Sequence, residues 1–220
     1  VSADGRLLAS GHTAAGGRPH AETEALEMAG DATQGATAYV KLEPCSHTGQ
    51  TGPCSDALVA AGIARVVIAM RDPDPRVNGR GIEALAEKGV ALQIGVEAEA
   101  ARRVMAGFLM RTSKARPLVT LKTATSLDGM IALEDGAKRW ITGPLMRRAV
   151  HLLRSRSEGL LSAVGTVLAD DPQFTCRLAG LHRDSPHRFI LDASLRTPPS
   201  ARLFEAAEDV GLTFFCRCLL

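Results

Sequence analysis

The sequence predicts an α/β protein, because short apolar strands alternate with helices along its whole length. In the first half, the strand segments GATAYVKLE, ARVVIAM and ALQIGV are separated by the helical segments CSDALVAAG and GIEALAEKG. This alternation indicates a parallel or mixed sheet covered by helices. The pattern starts again after Pro117, so we expect two successive α/β domains.

Local signals at both ends of the first half mark the boundaries of the first predicted domain. Asp4-Gly5 is a hairpin-turn signal, and RLLASGH after it predicts a strand. ETEALEMA predicts a helix with acidic residues in its first turn, and EAEAARRVMAGFLMRTS predicts one long helix. TSKARP is polar, basic and ended by a proline, which makes it the best domain boundary. We therefore expect a first domain at 1–112, a linker at 113–116 and a second domain at 117–220.

The second half repeats the alternation. PLVTLKTATSLDGMIAL predicts a strand that enters a loop at Ser126–Gly129, and KRWITGPLMRRAVHLLRSRS contains an amphipathic helix. GLLSAVGTVLADDP predicts a strand ending at Gly165, a short helix and an acidic turn. HRFILDASLRTPP predicts a strand and a loop, and LTFFCRCLL predicts a last strand.

The composition is that of an ordinary globular protein. The chain has 220 residues, 45% of them hydrophobic and 23% charged, with a net charge of +2 that gives no case for nucleic acid. No apolar run approaches the roughly 20 residues of a membrane span, and no signal peptide is visible. Five cysteines, two of them assigned to metal below, indicate a reducing compartment. We expect a cytoplasmic protein that binds a small molecule and neither nucleic acid nor membrane, with a homo-oligomer as an open alternative.

A candidate metal site lies in PHAETEAL and EPCSHTGQTGPCSDAL. His20, Cys45 and Cys54 provide one imidazole and two thiolates, a set that suits zinc and leaves a fourth position open for water. Each cysteine follows a proline, which favours the first turn of a helix, where the pKa of a thiol is lowered. Glu22 would share the start of a helix with His20, so both side chains can address one point and Glu22 is free to move protons.

Two other interpretations of these residues remain. The zinc site could be a closed structural one, or the two cysteines could be buried and inert. Glu22 argues against a structural site, because such a site usually takes a fourth Cys or His. His47 in Cys-x-His is the only rival ligand nearby.

The motifs resemble those of a known family. His-x-Glu followed by Pro-Cys is similar to the signature of zinc deaminases, with eight residues between the cysteines instead of two. HAETEAL, EPCSHTGQTGPC, KTATSLDGMIA, RWITG and VGTVLADDP together resemble the bifunctional riboflavin-biosynthesis deaminase/reductase family. The resemblance implies a cytidine-deaminase-like three-layer α/β/α domain followed by a dihydrofolate-reductase-like α/β domain.

The resemblance also implies two activities and their cofactors. The first domain would use Zn²⁺ to hydrolyse the 2-amino group of 2,5-diamino-6-ribosylamino-4(3H)-pyrimidinone 5′-phosphate. The second would use NADPH to reduce the ribosyl side chain to ribityl. No G-x-G-x-x-G is present, so a Rossmann nucleotide site has no support.

Functional residues follow from the same resemblance. The zinc ligands would be His20, Cys45 and Cys54, with Glu22 as the catalytic proton donor. The implied NADP contacts are Thr125, Trp140, Thr166, Asp170 and a position near Ala193. The implied substrate contacts are Lys138, Arg154, Phe174 and Arg177, where guanidinium groups would match a phosphate.

Without the resemblance, some of these residues have plainer interpretations. Arg154 at a helix end would be a solvated cation, Trp140 a core aromatic residue and Asp170-Asp171-Pro172 a turn.

The chain also departs from the family pattern. It starts at Val1 and lacks the helix and Asn-bearing loop that precede the first strand in the family, and FFCRCLL does not match the family's continuation. We therefore expect a fragment with a complete deaminase motif and a truncated reductase domain, and no reduction by this chain as written. The alternatives are a zinc deaminase acting on a nucleoside or on tRNA, and a zinc-stabilised remnant without turnover.

Overall fold

The computed structural model describes residues 1–14, 16–48, 52–133 and 140–217. The chain divides into two compact units, Val1–Leu121 and Lys122–Leu220. A helix at Ala106–Lys114 extends into the segment 113–116 that we predicted as a linker, and the predicted domain boundaries stay a prediction. Among the described residues, no helix combines the length and the apolar character needed to cross a membrane.

The first unit is built on a parallel sheet, as the alternation predicted. Its order is β1-β2-β3, with Tyr39 opposite Val67 and Val67 opposite Gln93. The strands are β1 at Thr37–Leu42, β2 at Arg65–Met70 and β3 at Ala91–Ile94, and the helices are α1 at Ala21–Ala29, α2 at Cys54–Ala60, α3 at Arg80–Glu87, α4 at Ala98–Val104 and α5 at Ala106–Lys114.

The middle strand β2 forms the core of this unit. Val66 and Ile68 are fully buried and pack with Leu58 of α2 and Leu85 of α3. Val67, whose side chain points to the other face, is buried as well, and α4 packs against β1 and β2. Both faces of β2 are therefore covered, which explains its continuous apolar sequence and gives the unit its three layers.

The second unit is built on another parallel sheet, with the order β4-β5-β6. Its core joins Val167, Phe174, Ile190 and Leu203. The strands are β4 at Gly159–Ala163, β5 at His187–Leu191 and β6 at Leu212–Phe215; the helices are α6 at Pro144–Ser155 and α7 at Val164–Asp170, with short 3₁₀ helices at His182–Asp184 and Arg202–Ala206.

Arg188 in the middle strand of this sheet is fully buried. Its guanidinium donates to four backbone carbonyls, those of Gln173 at 3.2 Å, Leu203 at 2.5 Å, Ala206 at 3.1 Å and Val210 at 2.5 Å. No ion pair to Arg188 occurs within the described residues. The side chain therefore ties two connecting segments to β5 through backbone dipoles, because an unpartnered carbonyl would be costly inside the unit.

Two predicted strands are absent from the described residues. The turn at Gly5 forms, with its backbone N donating to the Ser2 carbonyl at 3.0 Å, but 6–12 after it is not a strand. The segment 118–126 is not a strand either, and Leu121 in it is 86% exposed. Apolar periodicity predicted both strands wrongly, because a strand also needs a paired neighbour to bond its backbone groups.

Three predicted boundaries are also corrected. The predicted long helix is divided at Met105 into α4 and α5, close to Gly107, a residue type that weakens helices. Strand β4 ends at Ala163 instead of Gly165, because α7 begins at Val164. The predicted last strand forms only at Leu212–Phe215, and 218–220 lies outside the described residues.

Replacing the buried cation tests its structural role. Arg188→Leu should lower the free energy of unfolding of the second unit by at least about 2 kcal/mol, because buried carbonyls lose their donors. Hydrogen exchange should accelerate in β5 and stay unchanged in β2. The matched control is Arg65→Leu, since Arg65 is exposed on β2 and its guanidinium bonds the Gln93 side chain. Equal exchange in β5 of both variants would contradict the assignment.

Candidate metal and catalytic site

His20, Cys45 and Cys54 come together in the first unit. His20 Nδ1 lies 3.2 Å from Cys54 Sγ and 3.6 Å from Cys45 Sγ, and the three potential ligand atoms all lie within 4.8 Å of one another. This is the only group of three or more such residues with ligand spacing in the part of the chain that the structure describes, and His47 is not a member of it.

The fold explains why residues so far apart in sequence meet here. His20 is the N-cap of α1 and Cys54 is the first residue of α2, while Cys45 follows shortly after the carboxyl end of β1. Helix α1 packs against α2, and the backbone N of Cys54 donates to Cys45 Sγ at 3.4 Å. Two helix starts and one strand end therefore converge on a single point.

The two thiols do not behave alike. Hydrogen bonding from Cys54, helped by His20, lowers the pKa of Cys45 to about 4. The hydrogen bond that Cys54 makes with Cys45, together with burial, raises the pKa of the Cys54 thiol. A bound cation would remove the competition between the two negative charges, since metal ligation deprotonates thiols. Two thiolates and an imidazole at these distances fit zinc and leave room for a fourth ligand.

Glu22 lies beside this group without belonging to it. Burial raises the pKa of its carboxyl above the ordinary range, while the charge of His20 lowers it and that of Cys45 raises it. Glu22 lies in the first turn of α1, two residues after its N-cap His20, and so shares the helix start with that ligand. A half-buried carboxyl with a raised pKa holds a proton more readily than an ordinary carboxylate, as a general acid/base requires.

Glu43 is part of the site's surroundings that the sequence did not reveal. Its carboxylate is almost fully buried and accepts from four backbone N–H groups, those of Asp72 at 3.4 Å, Gly79 at 2.9 Å, Gly81 at 2.9 Å and Ile82 at 3.1 Å. In the sequence, the one sign of this role was the position of Glu43, an acidic residue between an apolar strand and Pro44-Cys45.

In the second unit, Arg154 and Arg177 lie on neighbouring segments, because the Thr175 carbonyl and the Arg177 backbone N both bond side chains of α6. Burial lowers the pKa of Arg154, and the charge of Arg177 lowers it further. Arg154 Nη1 donates to the Thr175 carbonyl at 3.0 Å, and neither arginine has an ion pair among the described residues. Phe174, the third implied substrate contact, is buried in the core with a left-handed φ of 58°. Lys138 lies outside the described residues.

The implied NADP contacts are spread over several elements. Ala193 lines a cavity of about 470 Å³ at the carboxyl ends of β5 and β6, together with Arg196 and Arg217. Thr166 and Asp170 lie exposed on α7, and Thr125 is exposed in the segment before α6. Trp140 is 79% exposed, so it is not a core aromatic residue, and the Arg147 guanidinium lies 4.4 Å from its ring centroid.

Known families match both units. The profile of the cytidine and deoxycytidylate deaminase zinc-binding region matches residues 1–70, and that of the RibD C-terminal domain matches residues 117–214. Among curated relatives, the riboflavin biosynthesis protein RibD of Escherichia coli is 43% identical over 97% of this chain. That of Aquifex aeolicus is 41% identical over 94% of this chain.

Solved structures give the same result. A deaminase/reductase from Thermotoga maritima, named for diaminohydroxyphosphoribosylaminopyrimidine and 5-amino-6-(5-phosphoribosylamino)uracil, superposes with a TM-score of 0.88 at 39% identity over 99% of this chain and 62% of that chain. RibD of Acinetobacter baumannii superposes with a TM-score of 0.83 at 41% identity, covering 98% of this chain and 62% of that chain. The chain spans 60% of the length of the E. coli relative and 58% of the A. aeolicus relative. It belongs to the riboflavin-biosynthesis deaminase/reductase family.

Proposed function

We propose that the first unit hydrolytically deaminates a diaminopyrimidine that carries a phosphoribosylamino group. The observation that carries this proposal is the convergence of His20, Cys45 and Cys54 within 4.8 Å, next to a half-buried Glu22 that is not part of the group. A nucleoside or tRNA deaminase would use similar ligands. The match to RibD relatives through both units favours the pyrimidine phosphate instead.

In this mechanism, His20, Cys45 and Cys54 hold the metal and Glu22 moves the protons. Zinc, when bound, supplies Lewis acidity that lowers the pKa of water. Glu22 takes a proton from the attacking water as its oxygen adds to the amine-bearing ring carbon. Glu22 then gives this proton to the departing nitrogen as the carbon–nitrogen bond breaks and ammonia leaves.

The second unit is proposed to provide part of an NADPH-dependent reductase site, while this chain as written is not expected to reduce the ribosyl side chain. Arg154 and Arg177 support this role, because neither guanidinium pairs with a carboxylate in the part of the chain that the structure describes, and such groups favour a phosphate. The cavity beside Ala193, with Arg196 and Arg217 in its lining, supports a place for part of an anionic cofactor. The cofactor would supply the hydride chemistry, and the protein would bind and orient it.

A cytoplasmic location and a small-molecule substrate complete the proposal. Free thiols at Cys45, Cys54, Cys176 and Cys216 support a reducing compartment. The names of the relatives support a small, phosphorylated pyrimidine as the substrate.

Metal analysis tests the ligand assignment. The purified chain should contain one zinc per molecule, because three protein donors converge on one point. The double variant Cys45→Ala/Cys54→Ala should lose it. Cys176→Ala is the matched control, since Cys176 is a buried free cysteine outside the donor group. A double variant that retains a full equivalent would contradict the assignment.

Glu22→Gln separates proton transfer from metal binding. This variant should retain zinc and lower the rate of ammonia release by about 10²- to 10⁴-fold, the range typical of a lost general acid/base. Glu27→Gln serves as the control, because Glu27 is exposed on the same helix. Loss of zinc from Glu22→Gln would make Glu22 a ligand and reject its proposed role.

Arg154→Met tests the proposed phosphate contact. Affinity for 5-amino-6-(5-phosphoribosylamino)uracil should fall by about 10- to 100-fold, as expected for a lost charge-assisted hydrogen bond. Calorimetry on the parent and the variant measures the change. Arg156→Met should bind like the parent, since Arg156 is an exposed arginine at the end of the same helix. Unchanged affinity in Arg154→Met would remove Arg154 from the binding site.

A further inference from the structure

Glu43 connects the cysteine-bearing loop to a second loop. It lies between the end of β1 and Pro44-Cys45. Its four N–H donors belong to the 72–82 segment, which comprises this second loop and the first residues of α3. One carboxylate oxygen accepts from Asp72 and Gly79, and the other accepts from Gly81 and Ile82. Each oxygen therefore anchors a different part of that segment.

The backbones of the two loops are also in direct contact. A Cβ on Gly81 would overlap the carbonyl oxygen of Pro44, so only glycine permits this approach. The first turn of α3 therefore rests on the residue that precedes Cys45. A shift of α3 would move the surroundings of the cysteine as well.

Val77 is the part of the second loop that touches the cysteines. Its side chain packs with Cys45 and Cys54 in one buried cluster, in which Val77 is 2%, Cys45 6% and Cys54 1% exposed. Turn hydrogen bonds fix it on both sides, from Val77 N to the Asp74 carbonyl at 2.9 Å and from Arg80 N to the Val77 carbonyl at 2.8 Å. Val77 of this loop thus covers both sulfur atoms.

We propose that Glu43 is a positioning residue that holds Val77 over Cys45 and Cys54 and thereby limits access to the two sulfur atoms. The consequence for metal binding rests on the zinc site proposed above, but the protection of the thiols does not. Residues that orient metal ligands from outside typically change metal affinity or activity by about 10- to 100-fold when they are replaced.

Cysteine alkylation in the full 220-residue chain measures this protection. The zinc-treated protein is incubated with excess chelator and iodoacetamide, and mass spectrometry gives the rate for each cysteine. Glu43→Gln preserves the size of the side chain but replaces one acceptor oxygen by a donor. Alkylation of Cys45 and Cys54 should become about 10-fold faster or more, while the rate at Cys176, buried in the second unit, should stay unchanged.

The chain offers a matched control and an internal reference. Asp192→Asn makes the same acid-to-amide change in a buried carboxylate of the second unit that accepts from Arg196 N at 2.9 Å and Thr197 N at 2.8 Å. It should leave Cys45 and Cys54 at the parent rates. Cys216 is exposed and should react quickly in every variant.

Val77→Ala provides a second, independent test. It removes the cover and leaves Glu43 and its acceptor atoms intact, so it should also accelerate alkylation at Cys45 and Cys54 alone. The proposal would be overturned if Cys45 and Cys54 in Glu43→Gln were alkylated at the rates of the parent chain. Equal acceleration of alkylation at Cys176 would overturn it as well. If Glu43→Gln does not fold, Val77→Ala decides, and parent rates in that variant would reject it. A chain that takes up no zinc would refute the proposed function, while the alkylation rates would still test Glu43.

Discussion

The first unit depends on bringing two sulfur atoms and an imidazole nitrogen within 4.8 Å of one another. Without a cation the two sulfurs cannot both be negative in this buried place, because their charges would repel each other. The fold meets the constraint by placing Cys45 after a strand of a parallel sheet and His20 and Cys54 at helix starts. The free energy of metal binding then becomes part of the stability of the unit.

Both units use the same means to stabilise the carboxyl end of a strand. Glu43 directly follows β1 and Asp192 directly follows β5. Each carboxylate is buried and accepts backbone N–H groups from a later loop. Arg188 provides the converse, a buried cation that donates to carbonyls. These charges bond peptide groups because multiple hydrogen bonds to the backbone offset the cost of taking an ion out of water.

Local motifs made part of this structure predictable. His-x-Glu and Pro-Cys are short patterns whose chemistry points to zinc. The alternation of strands and helices predicted a parallel or mixed sheet, and the strand pairs that the structure describes are parallel. The sequence did not reveal that 6–12 and 118–126 lack paired neighbours, because pairing is a property of the fold and not of a segment. It did not reveal Glu43 either, whose donors lie 29 to 39 residues further along the chain.

The exposed aromatic ring in the second unit has a practical consequence. Trp140 is the only tryptophan in the chain, and its ring lies in solvent with a guanidinium over one face. Tryptophan fluorescence therefore originates in the second unit, because the first unit contains no tryptophan. Tryptophan emission overlaps the absorption of reduced nicotinamide. Energy transfer from Trp140 would therefore report the binding of NADPH to this chain.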